Sequence, residues 1–207
     1  MEKSIAAILI KADERKDNDY FVRLFSAEGI ISAVFRGVRK AGSKLKYAAQ
    51  PMAFCVYELT GRQTPVITGA SQIEDFSSIA ADIVEFTSCM IMLEAADYSS
   101  AAVDCAESFL SLLKCIKAVI YNATDARLAA IKYMQKLLFL SGFYRPERGG
   151  GEVKDARSLA AAVAGSYLDD LKNIKADSDI VNAALKATSS LFERFFDCRI
   201  NSCRFFG

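Results

Sequence analysis

Along the first 76 residues the apolar positions come in short runs or alternate singly, and from Ser77 onward they recur every three or four residues. Alternation marks a half-buried strand, and recurrence near 3.6 residues marks an amphipathic helix. The first pattern predicts five strands. Ser4–Lys11 is a continuous apolar run bounded by the polar segment Ala12–Asn18. Asp19–Phe25 alternates, with Tyr20, Val22 and Leu24 on one face and Phe21, Arg23 and Phe25 on the other. Ser26–Gly29 has the length of a hairpin turn. Ile30–Arg36, Ala53–Thr60 and Pro65–Phe76 complete the set. Five strands with the longest connection between the third and fourth fit an OB barrel, a fold that often binds single-stranded nucleic acid.

The second pattern predicts helices over Ile79–Tyr98, Val103–Tyr121, Ala126–Phe143, Ala156–Leu171 and Ile180–Phe196. Ser77 and Ser78 are candidate caps for the first of these, and Thr124 or Asp125 for the third. Gly142 ends the third helix, and Tyr144–Lys154 is a loop. The triple glycine Gly149–Gly151 follows no strand and lacks the Gly-Lys-Ser/Thr ending of a phosphate loop, so it is a flexible turn. The expected architecture is α+β in two domains: a five-stranded OB-fold barrel over residues 1–77 and an α-helical domain over 78–207.

Composition narrows the function. The chain is 52% hydrophobic and 25% charged, which describes a globular protein with a substantial core. Ile5–Ile10 is too short for a secretory signal, and no apolar stretch reaches membrane-spanning length. A cytoplasmic location follows as the expectation. Histidine is absent, which removes the commonest general base and the Ser-His-Asp and Cys-His arrangements. The six cysteines form no C-x-x-C pair, so neither a metal site nor redox chemistry is expected. Cys89, Cys105 and Cys115 fall in helical apolar patterns as small core residues, and Met90, Met92 and Phe139 likewise belong to core stripes. The sequence implies no catalytic residues, no cofactor and no small-molecule substrate.

Charge is local rather than general. Residues 1–77 hold 11 Lys+Arg against 9 Asp+Glu, and the remainder 15 against 16. Between Ile30 and Tyr57 there is no acidic residue, yet Arg36, Arg39, Lys40, Lys44 and Lys46 fall within eleven positions. These five are either phosphate contacts or a solvated loop. A concentrated cation patch on a β-rich module is the electrostatic footprint of a phosphate-backbone binder. Tyr47, inside the loop, is a candidate for stacking on a base. Arg23, beside Phe21 and Phe25, has the same division of labour open to it, against a docking role for that face. Lys11, Arg15 and Lys16 are interleaved with Asp13, Glu14 and Asp17 and form a solvated turn. Arg194, Arg199 and Arg204 either extend the basic track or pair with Glu193 and Asp197.

Gly37-Val-Arg-Lys40, Ser43-Lys-Leu45 and Gln50-Pro51 resemble the Gly-Ala-Arg-Lys, Ser-x-Leu and Gln-Pro signature of the bacterial RecO family of DNA repair and recombination mediators. Val22-Arg-Leu-Phe-Ser26 with Glu28-Gly29 precedes it in matching order, and Arg199–Phe206 resembles a degraded form of the family's basic terminal segment. Many members carry a four-cysteine zinc module in the helical half; here Ser141–Lys154 stands in its place without a cysteine, so zinc is not carried over. Asn201 and Cys203 also replace usually basic positions. The resemblance implies binding of single- and double-stranded DNA, annealing of complementary strands, and help in loading RecA onto strands coated with single-strand-binding protein. It implies as partners RecR and the tail of single-strand-binding protein, and a nucleoid-associated location. An OB-plus-helical interaction adaptor with little DNA affinity is the alternative.

Overall fold

A computed structural model describes residues 2–206 except 122, 143, 146, 148, 150 and 151. The expectations for Gly150 and Gly151 therefore lie outside the described residues, whereas the third helix ends at Leu140, short of the expected Phe143. The chain divides into two compact units, Met1–Ser78 and Ile79–Gly207.

Five strands build the first unit: β1 (Glu2–Glu14), β2 (Tyr20–Ser26), β3 (Gly29–Phe35), β4 (Phe54–Thr60) and β5 (Val66–Glu74). They close in the order β1-β2-β3-β5-β4. β1 runs past the expected end at Lys11 because it serves two neighbours. Glu2–Ile8 pairs with β4, and Ile8–Glu14 pairs with β2. A register shift between Leu9 and Lys11 lets one strand bend from one partner to the other. Closure is narrow: Val34 of β3 faces Val66 of β5 in parallel, and the Val34 N–H donates to the Pro65 carbonyl at 2.9 Å. Every other pairing is antiparallel.

Alternation fills the barrel. Ile5, Ala7 and Leu9 of β1 meet Val22 and Leu24 of β2, Ala33 and Phe35 of β3, Tyr57 and Leu59 of β4, and Ile67 of β5. Phe35 is 1% exposed, so truncating it to alanine costs about 3–5 kcal/mol. Tyr57 is fully buried, and its hydroxyl donates to the carbonyls of Ala48 (2.8 Å) and Ala53 (3.2 Å). Burial pushes this phenol far above its ordinary range, so it remains a donor.

The second unit holds α1 (Ile83–Ser99), α2 (Cys105–Ile120), α3 (Ala126–Leu140), α4 (Ala156–Gly165) and α5 (Ser178–Phe196). α3 is central and packs against the other four. Its alanines at 126, 129 and 130 are buried and let neighbours approach closely. Asp125 caps α3, accepting from the Arg127 N–H, as the sequence allows. The first helix begins later than expected: Ser77–Ala81 is a 3-10 turn, and Asp82 rather than Ser77 or Ser78 caps α1 through the Val84 and Glu85 N–H groups.

The helix expected over Ala156–Leu171 stops at Gly165, and Leu168–Asn173 is a separate 3-10 segment. Lys132 of α3 supplies the physical reason. Its ammonium donates to the carbonyls of Val163, Ala164 and Ser166 at 3.0, 3.2 and 2.6 Å. A cation therefore caps the carbonyl end of α4, where the helix dipole is negative. Three core expectations are corrected. Phe139 is 44% exposed, with the Lys136 ammonium 5.7 Å from its ring centre. Met90 and Cys105 are half-buried, whereas Met92, Cys89 and Cys115 are buried. Among the described residues, no helix is long and apolar enough to cross a membrane.

Candidate nucleic-acid interface

The connection from Phe35 to Phe54 is anchored from below and charged on the outside. Val38, Ala48 and Ala49 are buried in the barrel core and Leu45 packs against it. Between these anchors the backbone makes successive turns, with Lys40 N–H to Gly37 carbonyl at 3.1 Å and Ser43 N–H to Lys40 carbonyl at 3.0 Å. Lys46–Ala49 is a 3-10 turn. Arg36, Arg39, Lys40, Lys44 and Lys46 are all exposed. The five cations thus share one loop whose apolar residues point inward.

Residues from a distant part of the sequence brace this loop. Tyr20 stands opposite Phe35 in the β2–β3 register, so Asp19, one residue earlier, faces the start of the loop. Its carboxylate accepts the Gly37 N–H at 2.6 Å. Gly37 has a φ of +59°, a left-handed conformation that suits glycine. The Arg39 N–H donates to the Asn18 carbonyl at 3.2 Å. Asp17 and Asn18 reach this position through their own left-handed conformations, with φ of 63° and 65°.

The same contact changes the electrostatics. Arg39 pairs with Glu14 at 3.0 Å and lies 5.8 Å over the Tyr20 ring. An acid-free stretch of sequence is therefore not an acid-free region of space. Lys46 donates to the Ala41 carbonyl at 3.2 Å, closing the loop on itself. Arg36, Lys40 and Lys44 form no ion pair among the described residues. Lys11 and Asp13, expected in a solvated turn, instead lie on β1 opposite Arg23 and Phe21, and they pair with each other at 3.3 Å on its exposed side.

The two aromatic candidates differ. Tyr47 is 39% exposed, but its hydroxyl donates to the Ala70 carbonyl of β5 at 2.6 Å. Its ring is thereby held in one orientation beside the cations. On β2, Phe25 is fully buried and offers no face to a base. Phe21 is half-buried, with the Arg15 guanidinium 5.3 Å over its ring. Arg23 is half-buried, between Lys11 and Ser32 across the sheet. The structure brings Arg36, Arg39, Lys40, Lys44, Lys46 and Tyr47 together on one connection and leaves Arg23 on a strand. Glu14, Asp19 and Tyr20 escaped the sequence reasoning; the strand register reveals them, and the interleaved charges of Lys11–Asp19 conceal them.

All six cysteines are free, and burial raises the thiols of Cys89 and Cys115 to about 12. They are therefore protonated and poor ligands at neutral pH. Among the described residues, no three or more of Cys, Asp and Glu gather as a metal site.

A five-stranded closed sheet with a cationic connection between its third and fourth strands, followed by a helical unit, defines an OB-fold protein of two parts. Residues 1–76 match the family model described as Recombination protein O N terminal. The chain is also 30% identical over 95 residues to a protein of Heliobacterium modesticaldum named DNA repair protein RecO. That match spans 44% of this chain and 34% of the relative, about a third of its length. Residues 1–76 are thus similar to the amino-terminal domain of recombination protein O, and the match to the relative points the same way.

Proposed function

We propose that the chain is a non-enzymatic DNA-binding mediator of recombinational repair, made of an OB-fold domain over 1–77 and a helical domain over 78–207. The observation that carries this reading is a core-anchored loop presenting exposed cations on a domain of the RecO amino-terminal family. Cations on such a loop offset repulsion between two phosphate backbones and leave the base edges free to pair. Annealing then needs no bond making, no cofactor and no small-molecule substrate. Single- and double-stranded DNA are the ligands, and RecA loading, RecR and the tail of single-strand-binding protein complete the proposed role, at the nucleoid in the cytoplasm. The relative named a DNA repair protein supports the repair setting.

The test is annealing of two complementary oligonucleotides, one carrying a fluorophore and the other a quencher. Wild-type protein accelerates annealing at low salt, and an Arg36→Ala/Lys40→Ala/Lys44→Ala variant does so at least several-fold less. Equal acceleration by a folded variant contradicts the reading. The adaptor alternative draws on one specific feature, the Glu14–Arg39 pair that lowers the loop's free charge. It predicts no salt-sensitive oligonucleotide binding at all.

A further inference from the structure

We propose that a cleft on the helical unit, between α5 and the terminal segment Cys198–Phe206, is a second phosphate site that takes the backbone of a nucleic-acid strand. The inference rests on the reading of the chain as a nucleic-acid binder, but it uses neither the barrel nor its basic loop.

The cleft has a volume of about 260 Å³, and Lys186, Ser190, Glu193, Arg199 and Arg204 are among the residues that line it. Three cations face one carboxylate. Lys186, Arg199 and Arg204 are all exposed, and among the described residues none forms an ion pair. Of the three carboxylates close to the terminal segment, Glu193, Asp197 and Glu94, two hold its backbone. Glu193 accepts the Ile200 N–H at 2.7 Å, and Glu94 of α1 accepts the Asn201 N–H at 2.6 Å and the Ser202 hydroxyl at 2.6 Å. Glu193 and Glu94 are thus held by backbone and hydroxyl donors, and none of the three cations is tied up in an ion pair with them or with Asp197.

These contacts also make the site firm. Ile200 is 2% exposed, and Cys203 and Phe206 are buried, so the segment is pinned between Glu94, Glu193 and its own apolar residues. Arg199 and Arg204 consequently project from a fixed frame, which lowers the entropy lost when they engage a ligand. Guanidinium forks match the oxygens of a phosphodiester, and the Ser190 hydroxyl in the lining adds a neutral donor. The remaining negative charge of Glu193 makes the site suited to a backbone passing over it rather than to a strongly held free anion.

The test uses the full chain with a Lys186→Gln/Arg199→Gln/Arg204→Gln variant, alone and combined with the Arg36, Lys40 and Lys44 alanine changes. Binding of fluorescein-labelled oligo(dT) is followed across a salt series. Loss of three contacts flattens the log–log slope by about 2 units, and does so in both backgrounds. Lys186→Arg/Arg199→Lys/Arg204→Lys keeps the slope, because the charges remain. An unchanged slope in the glutamine variant, shown folded by its thermal melt, overturns the cleft while leaving the loop intact. Absence of salt-sensitive oligo(dT) binding by the unaltered chain would instead sink the nucleic-acid reading itself. Two further probes separate sources. Saturable binding of inorganic phosphate or of oligo-glutamate that depends on the three cations, with the oligo(dT) slope unmoved, assigns the cleft to a free anion or an acidic protein and also overturns the proposal.

Discussion

The Asp19 carboxylate accepts the Gly37 N–H at 2.6 Å, tying the base of the basic loop to the connection between β1 and β2. A charged acceptor on a backbone donor contributes about 1.5–3 kcal/mol. Asp19→Ala therefore lowers the unfolding free energy by about 1–2 kcal/mol, less than the full range because the contact is only part-buried. Amide exchange at Gly37 rises in the same variant. No change in stability and full protection at Gly37 would show that Asp19 does not brace the loop.

Glu14 competes with any phosphate for Arg39. The pair is exposed, so its own contribution to stability is small, about 0–1 kcal/mol. Glu14→Gln leaves the melting temperature nearly unchanged and tightens oligo(dT) binding, with the salt slope steeper by up to about 0.7. Weaker binding in this variant would mean that Glu14 orients Arg39 instead of masking it.

Tyr47 separates anchoring from stacking. Tyr47→Phe removes the hydroxyl bond to the Ala70 carbonyl and costs about 1 kcal/mol of stability, while the ring stays available. Tyr47→Ala in addition weakens single-strand binding by about 1–3 kcal/mol if a base stacks there. Equal oligonucleotide affinity for the two variants assigns Tyr47 to the barrel alone.

The helical unit carries its own acid sensitivity. Arg127 joins α3 to α5, donating to the Ser178 hydroxyl at 2.8 Å and to the Asn182 side-chain oxygen at 2.9 Å, and it also pairs with Asp125 at 2.7 Å. Burial raises the Asp125 carboxyl, but hydrogen bonds from the Arg127 side chain and backbone outweigh it and hold the group below its ordinary 3.8. A depressed folded value means that the folded state binds fewer protons. This stabilisation is complete above pH 3.8 or so and is lost as pH falls through the lowered folded value. Asp125→Asn should melt lower than wild type at pH 7, with the gap closing as the pH falls below 3.8. A gap that persists there would remove the linkage.

Much of the barrel was legible because one face of each strand must be buried. Val22 and Leu24, then Ala33 and Phe35, fall at the alternate positions that fill the core. The two-residue connection Ala27-Glu28 follows the turn read at Ser26–Gly29. The five cations were legible as a group because they are contiguous. Their surroundings were not, since the register that sets Tyr20 against Phe35 brings Glu14 and Asp19 to the loop from more than fifteen residues away. The end of α4 was hidden for the same reason. Lys132, 31 to 34 residues earlier, caps it, and no local pattern contains that contact. Phe139 shows the complementary limit: helical spacing placed it in a stripe, whereas α3 is surrounded on so many sides that its stripe does not identify the exposed residue.

The most direct test of the central claim is the salt dependence of oligo(dT) binding by the Arg36→Ala/Lys40→Ala/Lys44→Ala variant. These three are exposed and unpaired among the described residues, so their loss should leave the fold intact. Phosphate contact by all three predicts a log–log slope flatter by about 2 units, equally for every oligonucleotide sequence. A folded variant with wild-type affinity and an unchanged slope would contradict the claim that this loop holds DNA.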